Sequence, residues 1–270
     1  MVRLATAAVL APLLWLMIKR APAGLFVVVI ICVILGACWE LYRMLGNRGA
    51  QPFVWLGLGL TAALLTVYLE RPWSIEPHTI LAVAALVVSL AAMRLRPTPV
   101  QMLETIVHTL FPIAFVALTM GYVILLRGVA DPEGSDLVLL LFICVIFGDT
   151  AAYYVGTLLG RRRLAPKISP NKTWEGAGGA LVGSVIGAGV AHAWFYQSLP
   201  LRHVVPIGLI LGAAGLLGDL AESVIKRACG VKDSSSLLPG HGGCLDRTDN
   251  LLFSAPLLYY YYQLFLGRPL

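Results

Sequence analysis

Residues 219–250 read DLAESVIKRACGVKDSSSLLPGHGGCLDRTDN, which places five carboxylates and four basic side chains between two long apolar runs. Acids inside an apolar run are costly, so they usually serve ions, substrates or protons. Clustered carboxylates bind hard cations such as Mg²⁺, Lys and Arg bind phosphate, and glycines let the backbone approach a ligand. The stretch therefore predicts a site for a metal-bound nucleotide or pyrophosphate. The alternative, a solvated loop between helices, does not explain Asp219 and Glu222, which lie within the upstream apolar run.

The composition around this stretch indicates an all-α, polytopic integral membrane protein. The chain has 270 residues, of which 59% are hydrophobic and 13% charged, against about 25% charged in soluble domains. The net charge of +6 could suggest a nucleic-acid partner. However, the basic residues lie at the ends of apolar runs, where membrane topology and anionic lipids explain them. No nucleic acid is therefore expected, and five cysteines without a CxxC pair favour neither a zinc site nor a disulfide framework.

Apolar runs long enough to cross a bilayer, about 17–25 residues, predict about nine transmembrane helices. These are 4–18, 23–43, 53–69, 79–95, 104–127, 136–160, 174–196, 204–226 and 250–267. The first is interpreted as a retained helix rather than a signal peptide, because Lys19 and Arg20 separate it from the small residues that resemble a cleavage site.

The distribution of basic residues predicts the orientation of these helices. In a nine-span arrangement, fourteen of the twenty Lys and Arg residues lie on the side of the N-terminus, so the positive-inside rule places the N-terminus in the cytoplasm. Loops 161–173 and 227–249 then also face the cytoplasm. We expect residues 1–128 to hold about five N-terminal spans and residues 129–270 to form the catalytic transmembrane region.

Two acids in the apolar runs need an explanation. Asp149 lies deep in the span 136–160, and Gly148, Ala152 and Gly156 form a stripe that permits close helix packing. A functional role for Asp149 is preferred over that of a hydrogen-bonded core acid, because a lone intramembrane carboxylate is costly. Glu40, beside Trp39, is interpreted as a residue near the membrane interface that points into the bundle or snorkels.

The loop before the seventh span combines charges with a helix start. Its three arginines, 161–163, are explained most simply as stop-transfer charges, whereas Ser169, Lys172 and Thr173 could bind phosphate oxygens. Thr173 also suits the first turn of a helix, and the two interpretations are compatible. In the eighth span, Asp219 and Glu222 share one helix face with Lys226. Asp246 and Asp249 repeat the three-residue spacing where the ninth span begins.

These segments closely resemble the signature of the phosphatidate cytidylyltransferases, the CDP-diacylglycerol synthases. The resemblance is carried by Ser223-Val224-Ile225-Lys226-Arg227, Lys232-Asp233, Leu238-Pro239-Gly240-His241-Gly242-Gly243 and Asp246-Arg247-Thr248-Asp249, with Asp149-Thr150-Ala151-Ala152-Tyr153 and Ser169-Pro170-Asn171-Lys172-Thr173-Trp174-Glu175-Gly176 upstream. Cys244 departs from the aliphatic residue that is usual in the family, and Asn171 from a frequent lysine. The resemblance implies transfer of CMP from CTP to phosphatidate, giving CDP-diacylglycerol and pyrophosphate, with Mg²⁺ as cofactor.

The same resemblance and the residue chemistry lead to the following expected roles. The predicted catalytic residues are Asp219, Lys226, Asp246 and Asp249. The predicted metal ligands are Asp149, Asp219, Glu222, Asp246 and Asp249. The predicted substrate-binding residues are Lys167, Ser169, Lys172, Thr173, Ser223, Arg227, Lys232, Asp233, His241, Gly242, Gly243 and Arg247.

Two other functions remain open from the residues. One is a different CTP-using transferase on a lipid phosphate, such as a polyprenol-type kinase. The other is an ion-coupled secondary transporter that uses the intramembrane acids as ion sites. We expect a multi-pass protein of the cell inner membrane with its site facing the cytoplasm. A second cation, a homodimer and the choice between CTP and dCTP are left open.

Overall fold

The computed structural model describes residues 15–70, 75–235 and 242–267. Residues 15–19 are helical. The helices that follow are α1 (Ala23–Asn47), α2 (Val54–Glu70), α3 (Pro77–Leu95), α4 (Pro99–Pro112), α5 (Leu118–Arg127), α6 (Glu133–Leu159), α7 (Trp174–Trp194), α8 (Leu201–Ala228) and α9 (Leu245–Tyr261). A π-helical turn, Ile113–Ala117, joins α4 to α5, and a second one, Tyr262–Leu266, follows α9. The all-α prediction is confirmed.

Within the described residues, six helical stretches are long and apolar enough to cross a membrane: α1, α3, α4 with α5, α6, α7 and α8. Each matches a predicted span. The predicted span 53–69 corresponds to a shorter apolar helix, and 250–267 overlaps the 17-residue α9. Most of the predicted span 4–18 lies outside the described residues. A multi-pass membrane protein is supported, but the count of nine spans is not confirmed.

The loop expected at 161–173 contains a small antiparallel hairpin. Its strands are β1 (Arg163–Ala165) and β2 (Ser169–Thr173), with Arg163 opposite Thr173 and Ala165 opposite Ser169. The charged residues and the proline of this segment hide the alternation of apolar and polar residues that would indicate strands. Pro170 is tolerated in β2 because both strands of a two-stranded sheet are edge strands. Thr173 then caps α7, since its Oγ1 accepts a hydrogen bond from the Gly176 N–H at 3.1 Å, which confirms the predicted helix start.

Packing divides the chain into two compact units. Among the described residues, the first unit comprises 15–23, 126–225 and 248–267, and the second comprises 24–70, 75–125, 226–235 and 242–247. The predicted functional division at residue 128 stays a prediction.

Close helix packing in the first unit depends on glycines of α6 and α7. An added Cβ on Gly179 would lie 2.9 Å from the Ala151 carbonyl oxygen, and one on Gly148 would lie 2.5 Å from Ser184 Oγ. Ser184 itself donates a hydrogen bond to the Cys144 carbonyl. The stripe of small residues predicted on α6 therefore does lie at a close helix contact, as such stripes do in membrane bundles.

The second unit is held partly by buried polar contacts between its helices. Tyr42 of α1 is buried, and its hydroxyl donates to the Thr109 carbonyl of α4 at 2.7 Å. A Cβ on Gly57 of α2 would overlap that same Tyr42 ring. Glu40, two residues before Tyr42, is also buried, with 2% exposure, so it points into the unit and does not snorkel.

Candidate active site

The first unit contains a cleft of about 600 Å³ between α6, α7, α8 and the hairpin. One part of its wall is polar and includes Arg161, Arg163 and Lys172, and another part is apolar and includes Val145 and Leu211. Two of the predicted metal ligands, Asp149 and Asp219, also line it. The cleft thus offers both cationic groups for phosphate and an apolar surface for hydrocarbon.

Lys172 is held in this cleft by an ion pair. Its Nζ lies 2.6 Å from Asp219 Oδ2, with side-chain exposures of 18% for Lys172 and 33% for Asp219. Lys172 is on β2 and Asp219 is on α8, so the hairpin brings the predicted phosphate ligand to the predicted metal ligand. The start of the hairpin is fixed by Glu175, whose Oε2 accepts the N–H groups of Arg161 and Arg162 at 3.1 and 3.2 Å.

Three of the five predicted metal ligands form one acidic cluster. Asp219, Glu222 and Asp249 each offer a carboxylate oxygen, and these oxygens all lie within 4.8 Å of one another. Glu222 is fully buried. Like charges at this separation repel strongly where water is scarce, so a bound divalent cation would stabilise the arrangement. Hard, all-oxygen ligand sets of this kind suit Mg²⁺.

The helix contact that assembles the acidic cluster occurs at Gly218. Asp219 and Glu222 share a face of α8 because they are three residues apart. Asp249 comes from α9, and its carbonyl oxygen packs directly against Gly218, where an added Cβ would overlap it. The glycine therefore allows α8 and α9 to approach closely enough for their carboxylates to meet.

Asn250 is a candidate site residue that the sequence did not identify. Its side-chain Nδ2 donates a hydrogen bond to Asp149 Oδ2, and the residue is 9% exposed. Asp149 is thus held by α9, but it is not part of the three-carboxylate cluster. The signal available in the sequence was a polar side chain next to Asp249 at the start of an apolar run.

In the second unit, Asp246 accepts hydrogen bonds from several donors. Lys226 Nζ lies 2.7 Å from Asp246 Oδ1. The backbone N–H groups of Ser234 and Gly243 each lie 2.9 Å from Oδ2, and Ser234 Oγ lies 2.8 Å from it. Burial opposes ionisation of Asp246, but the donors from Gly243, Lys226 and Ser234 outweigh it and lower the pKa of Asp246 to about 2. The metal-ligand role of Asp246 stays a prediction.

The remaining predicted residues are placed as follows. Ser223 is buried and donates to Asp219 Oδ1 at 3.4 Å, and Arg227 Nη1 donates to the Val231 carbonyl. Gly242 has φ of +76°, which only glycine adopts readily, and a Cβ there would lie 2.5 Å from Asp246 Oδ2. Lys167, Lys232, Asp233 and Arg247 are exposed, and Ser169 lies on β2. His241 lies outside the described residues.

Comparison with known proteins agrees with this picture. The chain is 47% identical over 137 residues to the phosphatidate cytidylyltransferase of Synechocystis sp., covering 50% of this chain and 46% of that protein. It is 41% identical over 153 residues to that of Bacillus subtilis, covering 56% of each chain, and 44% identical over 156 residues to that of Brucella suis, covering 58% and 56%.

These alignments mean that the chain spans about half the length of the curated relatives it matches. The family profile extends further, from residue 1 to residue 265. Because this profile matches nearly the whole length of the chain, and the cleft and the acidic cluster agree with it, the chain belongs to the cytidylyltransferase family.

Proposed function

We propose that this protein transfers CMP from CTP to phosphatidate and so forms CDP-diacylglycerol for phospholipid synthesis. A phosphate oxygen of phosphatidate attacks the α-phosphorus of CTP, a new O–P bond forms, the bond from the α-phosphorus to the bridging oxygen breaks, and pyrophosphate leaves with the electron pair. A phosphate monoester is largely ionised at neutral pH, so the reaction needs no protein base. The observation that carries the proposal is the Lys172–Asp219 pair in a cleft that is cationic in one part and apolar in another.

The acidic cluster supplies the metal site that this reaction requires. Asp219, Glu222 and Asp249 would hold Mg²⁺, because their three carboxylates approach within 4.8 Å and one of them is fully buried. When bound there, Mg²⁺ would supply charge neutralisation for the transferring phosphoryl group. A second cation remains part of the proposal.

The protein's own cations would orient the phosphates. Lys172 lies beside Asp219, and Arg161 and Arg163 line the same cleft. The sequence indicates only a stop-transfer role for these arginines, whereas their place in the cleft supports a role in phosphate binding as well. Phosphoryl transfer depends mainly on positioning and charge neutralisation. The apolar wall near Val145 and Leu211 would accept the lipid chains, which fits a substrate that joins a phosphate to hydrocarbon.

A labelling experiment tests this function. Purified protein is incubated with phosphatidate, Mg²⁺ and CTP that carries ³²P at either the α or the γ position, and the organic phase is counted. We expect label in lipid from α-labelled CTP only, with release of pyrophosphate. Label from γ-labelled CTP would instead indicate a lipid kinase. Ion-coupled flux in proteoliposomes without CTP turnover would indicate a transporter.

A matched pair of variants links this activity to the acidic cluster. Asp219→Asn should abolish turnover in a protein that still extracts and elutes as the wild type does, because it removes one of the clustered carboxylates. Glu76→Gln changes an exposed carboxylate just before α3 and should leave turnover intact. Wild-type rates from Asp219→Asn would refute the metal-ligand role.

We also propose that the site faces the cytoplasm and that the protein resides in the cell inner membrane. The density of basic residues in 161–173 and 227–249 supports this orientation, and CTP is available on that side.

A further inference from the structure

Glu40 is a buried carboxylate far in sequence from the signature, and it accepts hydrogen bonds from residues that lie between the signature segments. Its Oε1 accepts from Ser235 Oγ at 2.7 Å and from the Cys244 N–H at 3.0 Å. Its Oε2 accepts from Ser234 Oγ and from the Leu245 N–H, both at 2.9 Å. A buried carboxylate is tolerated where such donors replace water. One side chain of α1 therefore binds two separate pieces of the stretch 219–250, namely 234–235 and 244–245.

The two backbone donors, the N–H groups of Cys244 and Leu245, show what this contact does to the backbone. Leu245 is the first residue of α9, and the first N–H groups of a helix have no partner within the helix. Glu40 accepts two N–H groups at this helix start, where a negative charge is also favoured by the helix dipole. The start of α9 is consequently capped by a side chain 205 residues away.

Ser234 connects Glu40 to Asp246. Its Oγ lies 2.9 Å from Glu40 Oε2 and 2.8 Å from Asp246 Oδ2, and its N–H also donates to Asp246 Oδ2. A serine hydroxyl has one proton, so it can donate fully to only one of the two carboxylates at a time. Asp246 in turn holds the Lys226 ammonium. A continuous series of contacts thus leads from Glu40 through Ser234 and Asp246 to Lys226.

Gly243 provides the space for this arrangement. A Cβ at this position would overlap both oxygens of Glu40 and the Oγ of Ser234. The close approach of the Glu40 carboxylate thus explains why residue 243 is a glycine, in addition to any ligand that binds there.

We propose that Glu40 is a positioning residue that fixes the orientation of Asp246, and through it Lys226, for the transferase reaction. This inference rests on the proposed function, since it assigns those two residues to the reaction. Glu40 itself is not a catalytic residue: it acts through Ser234 and through the backbone at the start of α9.

Two serines provide a matched test of this role. Ser234→Ala and Ser235→Ala each remove one hydroxyl that donates to Glu40, and the Ser234 hydroxyl also lies 2.8 Å from Asp246 Oδ2. We expect Ser234→Ala and Glu40→Gln to lower kcat about 10- to 100-fold, as substitutions of groups that hydrogen-bond to metal ligands do. Ser235→Ala should stay near the wild-type value. Ser234→Thr keeps the hydroxyl and should restore most of the rate. Glu104→Gln, an exposed carboxylate on α4, is the control for loss of charge.

A second measurement does not depend on activity. Hydrogen exchange followed by mass spectrometry should show faster exchange of a peptide covering 242–247 in Glu40→Gln. The substitution replaces one of the two accepting oxygens by an NH2 group, which cannot accept a hydrogen bond, so one of the two N–H groups at the helix start loses its acceptor. Glu104→Gln should exchange like the wild type. Unchanged exchange in Glu40→Gln would overturn the proposed contact even if the protein had no transferase activity.

The kinetic outcomes separate the two proposals. A wild-type protein that transfers no label from CTP to lipid contradicts the proposed function, and the exchange data then decide on the Glu40 contact alone. An active wild type with equal rates for Ser234→Ala and Ser235→Ala contradicts the positioning role, whether both are slow or both are normal. A selective loss in Ser234→Ala that Ser234→Thr reverses supports it.

Discussion

Gly218→Ala is the smallest substitution that should separate the acidic side chains of α8 and α9. A Cβ at residue 218 would overlap the Asp249 carbonyl oxygen and lie 3.2 Å from its carbonyl carbon. Both atoms are backbone, so no side chain can rotate away to make room. The two helices would have to move apart at the point where Asp219 and Asp249 meet.

The size of the effect follows from ordinary contact distances. Non-bonded heavy atoms settle near 3.5 Å, so the overlap requires a helix displacement of about 1 Å. Mg²⁺ demands oxygen ligands at about 2.0–2.1 Å, within a tolerance of about 0.2 Å, so a displacement of about 1 Å would remove one ligand from the proposed Mg²⁺ site. We therefore expect kcat to fall about 100-fold and the free energy of unfolding to fall by about 1–3 kcal/mol, as for overpacked cores.

Gly178→Ala on α7 provides the control for this prediction. An added Cβ at residue 178 meets no described atom within 4 Å, so the substitution should only improve helix propensity, by about 1 kcal/mol. Activity is measured as transfer of α-label from CTP to lipid, and stability as thermal unfolding of the purified protein in detergent. If Gly218→Ala were as active and as stable as Gly178→Ala, the argument that a backbone contact positions the carboxylates would be wrong.

Three further predictions concern charge and topology. The pKa of Asp246 is lowered to about 2 from 3.8, so its ionised form should contribute about 2 kcal/mol to stability above pH 4, and this contribution is lost as the pH falls toward 2. The difference in thermal unfolding midpoint between wild type and Asp246→Asn should therefore shrink over that range, whereas a constant difference would contradict the Asp246 contacts. Lys172→Ala should raise the KM for one of the two proposed phosphate substrates, CTP or phosphatidate, about 10- to 100-fold, because a charged hydrogen bond is lost. Arg202 is an exposed residue of α8, so Arg202→Ala should leave both KM values unchanged. In a background without the native cysteines, Lys167→Cys and Gln197→Cys lie beyond opposite ends of α7, so in sealed right-side-out vesicles an impermeant maleimide should label only Gln197→Cys; the reverse pattern would refute the proposed orientation.

Much of the architecture and part of the site follow from local rules in the chain. Long apolar runs give membrane helices because unpaired backbone polar groups are too costly in lipid, and six of the predicted spans match candidate membrane-spanning helices in the described residues. Thr173 caps α7 as predicted, since capping depends on residues within one turn. The common face of Asp219 and Glu222 likewise follows from a three-residue spacing.

Local rules did not predict the contacts that join distant segments. Glu40 meets Ser234 across 194 residues, and Asn250 meets Asp149 across 101; no spacing pattern in the chain indicates either pair. The hairpin at 163–173 was also missed, because its strands are too short and too charged to show alternation.

The chain alone therefore determined a helical membrane protein with a carboxylate-rich stretch at 219–250, for which it predicted phosphate-binding chemistry. Which carboxylates approach one another, and which groups surround Glu40, was decided by helix packing at Gly218 and by the burial of Glu40. The physical reason is that periodicity orients side chains only within a helix, whereas a site built from two helices depends on how closely their backbones approach.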